Sequence, residues 1–146
     1  MHGDFADLAD RFAPLVERVR GRDLATKRAA VAELSPTEQA VFAWYSFHAH
    51  AHAHAGVGSG AADDVAMFRS ICEIYVLEWQ VWHEVERAAP VLAVPGVEEL
   101  CRRIRVTAEG RPAAEPWRDL SLTYHRLAPA LTRSAANVAR ADGTTG

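Results

Sequence analysis

Residues Ser35 to Gly56 read SPTEQAVFAWYSFHAHAHAHAG, and this segment gives the strongest indication of the fold class. Ser35 and Glu38 have the spacing of a capping box, and Pro36 stands at the first helical position, so a helix is predicted to begin here. Alanine has the highest helix propensity, and Gly56 is the first residue that favours termination. The stretch is therefore predicted to be helical through the four histidines, to about residue 54.

The rest of the chain extends this prediction to the whole molecule. Apolar residues recur at intervals of three and four almost throughout, whereas strict alternation is confined to the histidine run. We therefore predict an all-α fold, a single-domain antiparallel bundle of about five to six helices over residues 1–140 with a disordered tail at 141–146. A long central helix is expected at about 62–89, because two apolar rows continue there until Pro90.

Composition and charge argue against several classes of function. The chain has 146 residues, 49% of them hydrophobic, and it contains no apolar run of the length that crosses a bilayer. Its net charge of −3 provides no basic surface for nucleic acid or membranes. The acidic N-terminal segment is unlike a secretory signal, and Cys72 and Cys101 have the apolar neighbours of buried thiols. These features predict a cytoplasmic protein without a nucleic-acid or membrane partner.

The histidine run contains His48, His50, His52 and His54. Successive helical residues are about 100° apart. His48 and His52 therefore share the face of Tyr45, which is predicted to turn inward, while His50 and His54 lie nearly opposite, towards solvent. Each pair has the i,i+4 spacing at which two imidazoles can reach one Zn²⁺, Ni²⁺ or Cu²⁺ ion.

Two histidines form a weak site unless another ligand joins them. If residues 56–60 form the turn of an antiparallel helical hairpin, position 52 faces about position 64, so Asp64 is the predicted carboxylate partner of His48 and His52. Two alternatives stay open. Asp63 or Asp64 can simply cap the next helix, and the inward histidines can form hydrogen bonds in a partly buried site without a metal.

A second polar group lies in the segment LEWQVWHEVER, residues 77–87. Glu78 interrupts an apolar row between Ile74 and Val81, so we predict that it is largely buried, with an arginine such as Arg126 or a metal ion in hydrogen-bonding reach. Two roles are open for Glu78, a buried ion pair with an arginine and a catalytic carboxylate.

Three functions follow from these features. The first is a small cytoplasmic helical protein that binds a transition metal (Zn, Ni or Cu) for storage, sensing or delivery. The second is a protein-interaction module, such as an inhibitor or immunity-type partner, or a self-associating chain, because residues 1–96 carry a net charge of −5 that a basic surface would complement. The third is a small all-α enzyme with a tryptophan-lined pocket, formed by Trp79, Trp82, Glu78, His83 and Glu86. No motif indicates an organic cofactor.

Overall fold

The computed structural model of the chain describes residues 3–55, 62–110 and 115–144. These ranges contain seven α-helices and one π-helix, and none of their residues forms a strand, so the predicted all-α bundle is confirmed. The elements are α1 (Asp4–Val19), α2 (Leu24–Ala32), α3 (Pro36–Ala55), α4 (Ala62–Glu73), the π-helix (Ile74–Glu78), α5 (Trp82–Leu92), α6 (Val97–Gly110) and α7 (Glu115–Thr144).

Helix α3 begins where the capping box predicted. The backbone N–H of Glu38 donates to Ser35 Oγ at 3.1 Å, which satisfies one of the amides left without a partner at a helix start. The helix continues to Ala55, so the prediction that the histidine run is helical is confirmed.

The core lies between α3 and α7, which both contact several other helices. Helix α3 packs on α4, α5 and α7, and α7 also packs on α1, α4, α5 and α6. Phe47 is at the aromatic centre, with its ring edge-on to four neighbours at centroid distances of 4.9 to 6.2 Å. These neighbours are Phe68, Tyr75, Trp82 and Tyr124. Such edge-to-face contacts are the preferred geometry of aromatic pairs.

The prediction of one continuous helix over 62–89 is wrong. The segment divides into α4, the π-helix and α5, and the chain breaks at residues 79–81, where Gln80 takes a left-handed φ of 55°. The wider hydrogen bonding of the π-helix is seen at the N–H of Trp79, which donates to Ile74 O at 2.7 Å. Helices α4 and α5 both place an apolar face on the core. In the sequence, their apolar residues therefore have the spacing of one continuous helix.

The longest helix is instead α7, with 30 residues. Its backbone reaches Thr144, within the segment predicted to be a disordered tail, while residues 145–146 and the side chains after Ala141 lie outside the described part of the chain. The tail therefore stays a prediction. Among the described residues, no helix combines the length and the apolar character needed to cross a membrane.

Helix α2 lies to one side of the core. All nine of its residues are described, and none of them belongs to the core cluster of buried side chains. Its N-terminus is capped by Asp23, whose Oδ1 accepts from the N–H of Thr26 at 2.8 Å. Helix α2 is therefore locally well formed but weakly packed, and a cavity separates it from the bundle.

A candidate ligand cavity beneath helix α2

The cavity beneath α2 has a volume of about 780 Å³. Its walls come from the end of α1, from α2, α3 and α5, and from the π-helix. The volume falls in the range of sites that hold small organic molecules, about 300 to 1,000 Å³. Most of the wall is apolar, and its larger aliphatic and aromatic side chains are Val16, Val19, Leu24, Val31, Phe42, Trp79, Val81, Val85 and Val91.

The sequence of α2 explains why this helix faces a cavity. Leu24, Lys27, Arg28 and Val31 are spaced three and four apart, which places them on one face, and all four line the cavity. This face carries two cations among its aliphatic residues. It is therefore poorly suited to close packing on a dry core, because buried cations need a partner.

A cluster of three polar side chains is fixed in the cavity wall. Tyr75 Oη lies 2.9 Å from Ser46 Oγ and 2.9 Å from His50 Nδ1, and His50 Nδ1 also lies 2.9 Å from the Ser46 carbonyl oxygen. The Nδ1–H group of His50 is shared between the Ser46 carbonyl and the phenol oxygen, and one further hydrogen bond joins the hydroxyls of Tyr75 and Ser46.

Burial sets the ionisation state of this cluster. Tyr75 is 3% exposed, and desolvation raises the pKa of its phenol to about 12, against a smaller lowering by the hydrogen bond with Ser46. The phenol is therefore neutral at physiological pH. The His50 ring packs edge-on against Tyr75 and Trp79, with centroids 5.8 and 6.0 Å away, so the imidazole is held at the edge of the cavity.

Arg28 crosses from α2 to the break after the π-helix. Its Nη2 donates to the carbonyl oxygens of Trp79 at 2.9 Å and of Gln80 at 3.5 Å. This contact ties α2 to the bundle at the residue with left-handed backbone geometry. π-Helical turns and strained residues are frequent at functional sites, so the break itself favours a functional role for this region.

The predicted metal ligand His48 has a different environment. It is 2% exposed, its Nδ1 is hydrogen-bonded to the hydroxyl of Tyr124, and its ring stacks on Trp44 with centroids 4.7 Å apart. Phe5 packs edge-on against the same ring at 5.5 Å. The inward orientation predicted for His48 is confirmed, and its surroundings match the alternative of a hydrogen-bonded core histidine.

The other predicted ligands are only partly described. His50 is exposed, as predicted, and Asp64 is half-buried in the first turn of α4. The side chains of His52, His54 and Asp63 lie outside the described part of the chain. Within that part, no group of three or more His, Cys, Asp or Glu residues could hold a metal ion. The metal site therefore stays a prediction.

The prediction for Glu78 is wrong, because this side chain is exposed, as is its suggested partner Arg126. The π-helix explains the error, since its extra residue per turn rotates Glu78 out of the apolar row that an uninterrupted α-helix would give.

The pocket predicted around Glu78, His83 and Glu86 is not formed by these residues, none of which lines the cavity beneath α2. His83 is exposed, with Nε2 3.9 Å from Glu84, and Glu86 accepts from Arg105 on α6 at 2.8 Å. The two tryptophans of the predicted pocket also lie in different parts of the structure. Trp79 lines the cavity, whereas Trp82 is buried in the core and donates to the carbonyl of Cys101 at 2.9 Å.

Sequence reasoning missed the residues that form the cavity. Lys27 and Arg28 could have been identified from the sequence, because they interrupt the aliphatic face of a short helix. The contact of Ser46 with Tyr75 could not, because these residues are 29 positions apart and meet through the π-helix.

Comparison of the chain with family models, with curated proteins and with solved structures gives no match. The case for a function therefore depends on the geometry of the chain itself.

Proposed function

We propose that this protein binds a small, largely apolar organic molecule in the cavity beneath α2. The observation that carries the proposal is the cavity of about 780 Å³, which combines an aliphatic and aromatic wall with the fixed Ser46, Tyr75 and His50 cluster. Protein interiors are normally packed as densely as organic crystals, and a large apolar space with a few convergent polar groups is typical of ligand sites.

The position of α2 supports the same proposal. This helix has one buried residue, Ala30, and it is tied to the bundle by few contacts, among them the hydrogen bonds of Arg28. A ligand in the cavity would supply the apolar contacts that α2 does not receive from the core. Binding should therefore stabilise the folded state, in proportion to ligand concentration over its dissociation constant.

A cavity-filling substitution tests the proposal. Ala43 lines the cavity, so Ala43→Phe should obstruct it, whereas Ala66→Phe adds the same ring at an exposed position on α4. The neutral fluorescent probe N-phenyl-1-naphthylamine should bind the wild type and Ala66→Phe, and its affinity should fall about tenfold or more in Ala43→Phe. Circular dichroism checks that both variants fold. Equal probe binding by the two variants, or no binding by the wild type, would count against a ligand cavity.

Transition-metal binding by the histidine run is a second proposal. The helical backbone of α3 to Ala55 supports it, because this backbone places His50 and His54 four residues apart. His48 is buried, with its Nδ1 hydrogen-bonded to Tyr124, whereas His50 is exposed, so we favour the outer pair over His48 and His52. Calorimetric titration with Zn²⁺ should show binding that His50→Ala with His54→Ala removes and that the exposed control His83→Ala keeps. Equal Zn²⁺ binding by the double variant and by His83→Ala would argue against a site at His50 and His54.

We propose a cytoplasmic location, which the two free, buried cysteines, Cys72 and Cys101, support because free thiols suit a reducing compartment. The interaction-module and enzyme hypotheses gain no specific support from the contacts of the described residues.

A further inference from the structure

Positive charge is concentrated around the cavity beneath α2. Among the residues that the structure describes, four basic side chains line it, whereas Glu84 is the single acidic one. The four are Arg20, Lys27, Arg28 and Arg87. The chain as a whole has a net charge of −3, so this wall opposes the average charge of the protein.

Two of these cations already have partners in the fold. Arg28 donates to the carbonyl of Trp79, and Arg20 lies 3.4 Å from a carboxylate oxygen of Glu17. Lys27 and Arg87 differ from them, since neither forms a salt bridge or side-chain hydrogen bond with any residue in the described ranges.

Lys27 is also half-buried, which removes part of its hydration without a compensating carboxylate. An anion bound in the cavity would supply that compensation, and it would pair with Arg87 as well.

We infer that the ligand of this cavity is an amphipathic anion. Its apolar body would pack on the aliphatic wall, and its single carboxylate or phosphate head would be held by Lys27 of α2 and Arg87 of α5. Carboxylate and phosphate share the oxygen acceptors that ammonium and guanidinium groups bind. This inference rests on the proposed function and names the class of molecule that the cavity takes.

Four ligands with the same twelve-carbon chain separate the charge of the head from the apolar body. These are dodecanoate, dodecyl phosphate, 1-dodecanol and dodecyltrimethylammonium, each titrated below its micelle concentration by displacement of N-phenyl-1-naphthylamine. Both anions should bind about fivefold or more tightly than the alcohol, since exposed and half-buried ion pairs each contribute modestly. The cation should bind most weakly. The order of the two anions identifies which head is preferred.

A charge-matched pair of variants assigns this preference to the cavity. Lys27→Met with Arg87→Met removes two positive charges but keeps apolar side chains, so it should abolish the preference for anions and leave the affinity for 1-dodecanol unchanged. Arg126→Met with Arg133→Met makes the same change in net charge at exposed positions of α7 and should keep the preference.

The outcomes distinguish this inference from the proposed function. Failure of every ligand to displace the probe would contradict the proposal that the cavity binds a ligand. Equal affinity for dodecanoate and 1-dodecanol, tighter binding of the cation, or loss of the preference in the α7 control would overturn the anionic head while leaving an apolar site. A dimer in sedimentation velocity that Ala43→Phe disrupts would instead make a second copy of the chain the occupant of the cavity.

Discussion

His48 shows how a polar side chain is accommodated in the aromatic core. Trp44 lies one turn earlier on α3, so helical spacing places its indole directly against the imidazole, and the two rings are only 14° from parallel. The polar edge of the imidazole then meets Tyr124, which α7 brings from 76 positions further along the chain. A buried polar atom needs such a partner, and this hydrogen bond connects the two helices at the centre of the bundle.

We predict that Tyr124→Phe lowers the free energy of unfolding by about 1 to 3 kcal/mol, because it removes the phenol partner of a buried imidazole nitrogen. Urea denaturation at pH 7 measures the change. Tyr45→Phe serves as the control, since this tyrosine is only half-buried, and its effect should stay within about 0.5 kcal/mol. If the two variants lose equal stability, the hydrogen bond has no special role.

Residue positions on a regular helix could be predicted from the sequence, whereas their distant partners could not. The period of α3 correctly placed His48 inward and His50 outward, because the azimuth on a helix follows from residue number alone. Nothing local in the sequence indicates that Tyr124 meets His48 or that Ser46 meets Tyr75. These contacts depend on how helices far apart in the chain are packed, which hydrophobic periodicity does not specify.

The π-helix and the break that follows it form part of the cavity wall, through Tyr75, Trp79 and Val81. The π-helix places Tyr75 towards Ser46, and the break that follows exposes the carbonyls that Arg28 binds. An uninterrupted helix would also have kept Glu78 in the apolar row. Nothing in residues 73–82 indicates a break, because they contain neither glycine nor proline. Propensity and patterning detect breaks that glycine and proline cause, and this break contains neither residue.

Helix α5 ends at Leu92, and the exposed residue that caps it, Ala93, has a left-handed φ of 56°. A side chain in this conformation is strained, so we predict that Ala93→Gly raises the free energy of unfolding by about 0.5 to 1 kcal/mol. The same substitution at the exposed helical residue Ala66 on α4 should lower it by about 1 kcal/mol. Thermal and urea denaturation of both variants measure the expected gain at position 93 and the expected loss at position 66. A loss of stability at both positions would contradict the left-handed end of α5.

The core of the bundle contains two tyrosine phenols and two cysteine thiols that burial keeps protonated. Desolvation raises the pKa of Tyr75 and of Cys101 to about 12, and it raises those of Tyr124 and Cys72 well above their ordinary values. In the unfolded chain, thiols ionise near pH 8.5 and phenols near pH 10. The unfolded state therefore releases protons at a lower pH than the folded state does.

The sign of the resulting pH dependence follows from these pKa differences. The stability contributed by each group is complete below its unfolded pKa and is lost as the pH rises towards its folded pKa, so the loss begins between pH 8 and 9 and continues to about pH 12. Each group contributes a slope of at most about 1.4 kcal/mol per pH unit. The ion pairs of the described residues do not share this loss, because their cations are arginines apart from His83, and arginine stays charged in this range.

We therefore predict that the free energy of unfolding, measured by urea denaturation at intervals between pH 7 and 11, is nearly constant to pH 8 and then falls steeply. Cys101→Ala should make this fall shallower from about pH 9, whatever its own effect at pH 7. The slope of stability against pH depends on the protons that unfolding releases, and not on how well the core is packed. Tyr75→Phe should change the slope of the profile only above about pH 10, where free phenols begin to ionise, whatever its effect on stability at pH 7. A flat profile to pH 11 would mean that these thiols and phenols ionise as readily in the folded chain as in the unfolded one. The core would then be open to water at the positions where Tyr75 and Tyr124 hold α3, α7 and the π-helix together.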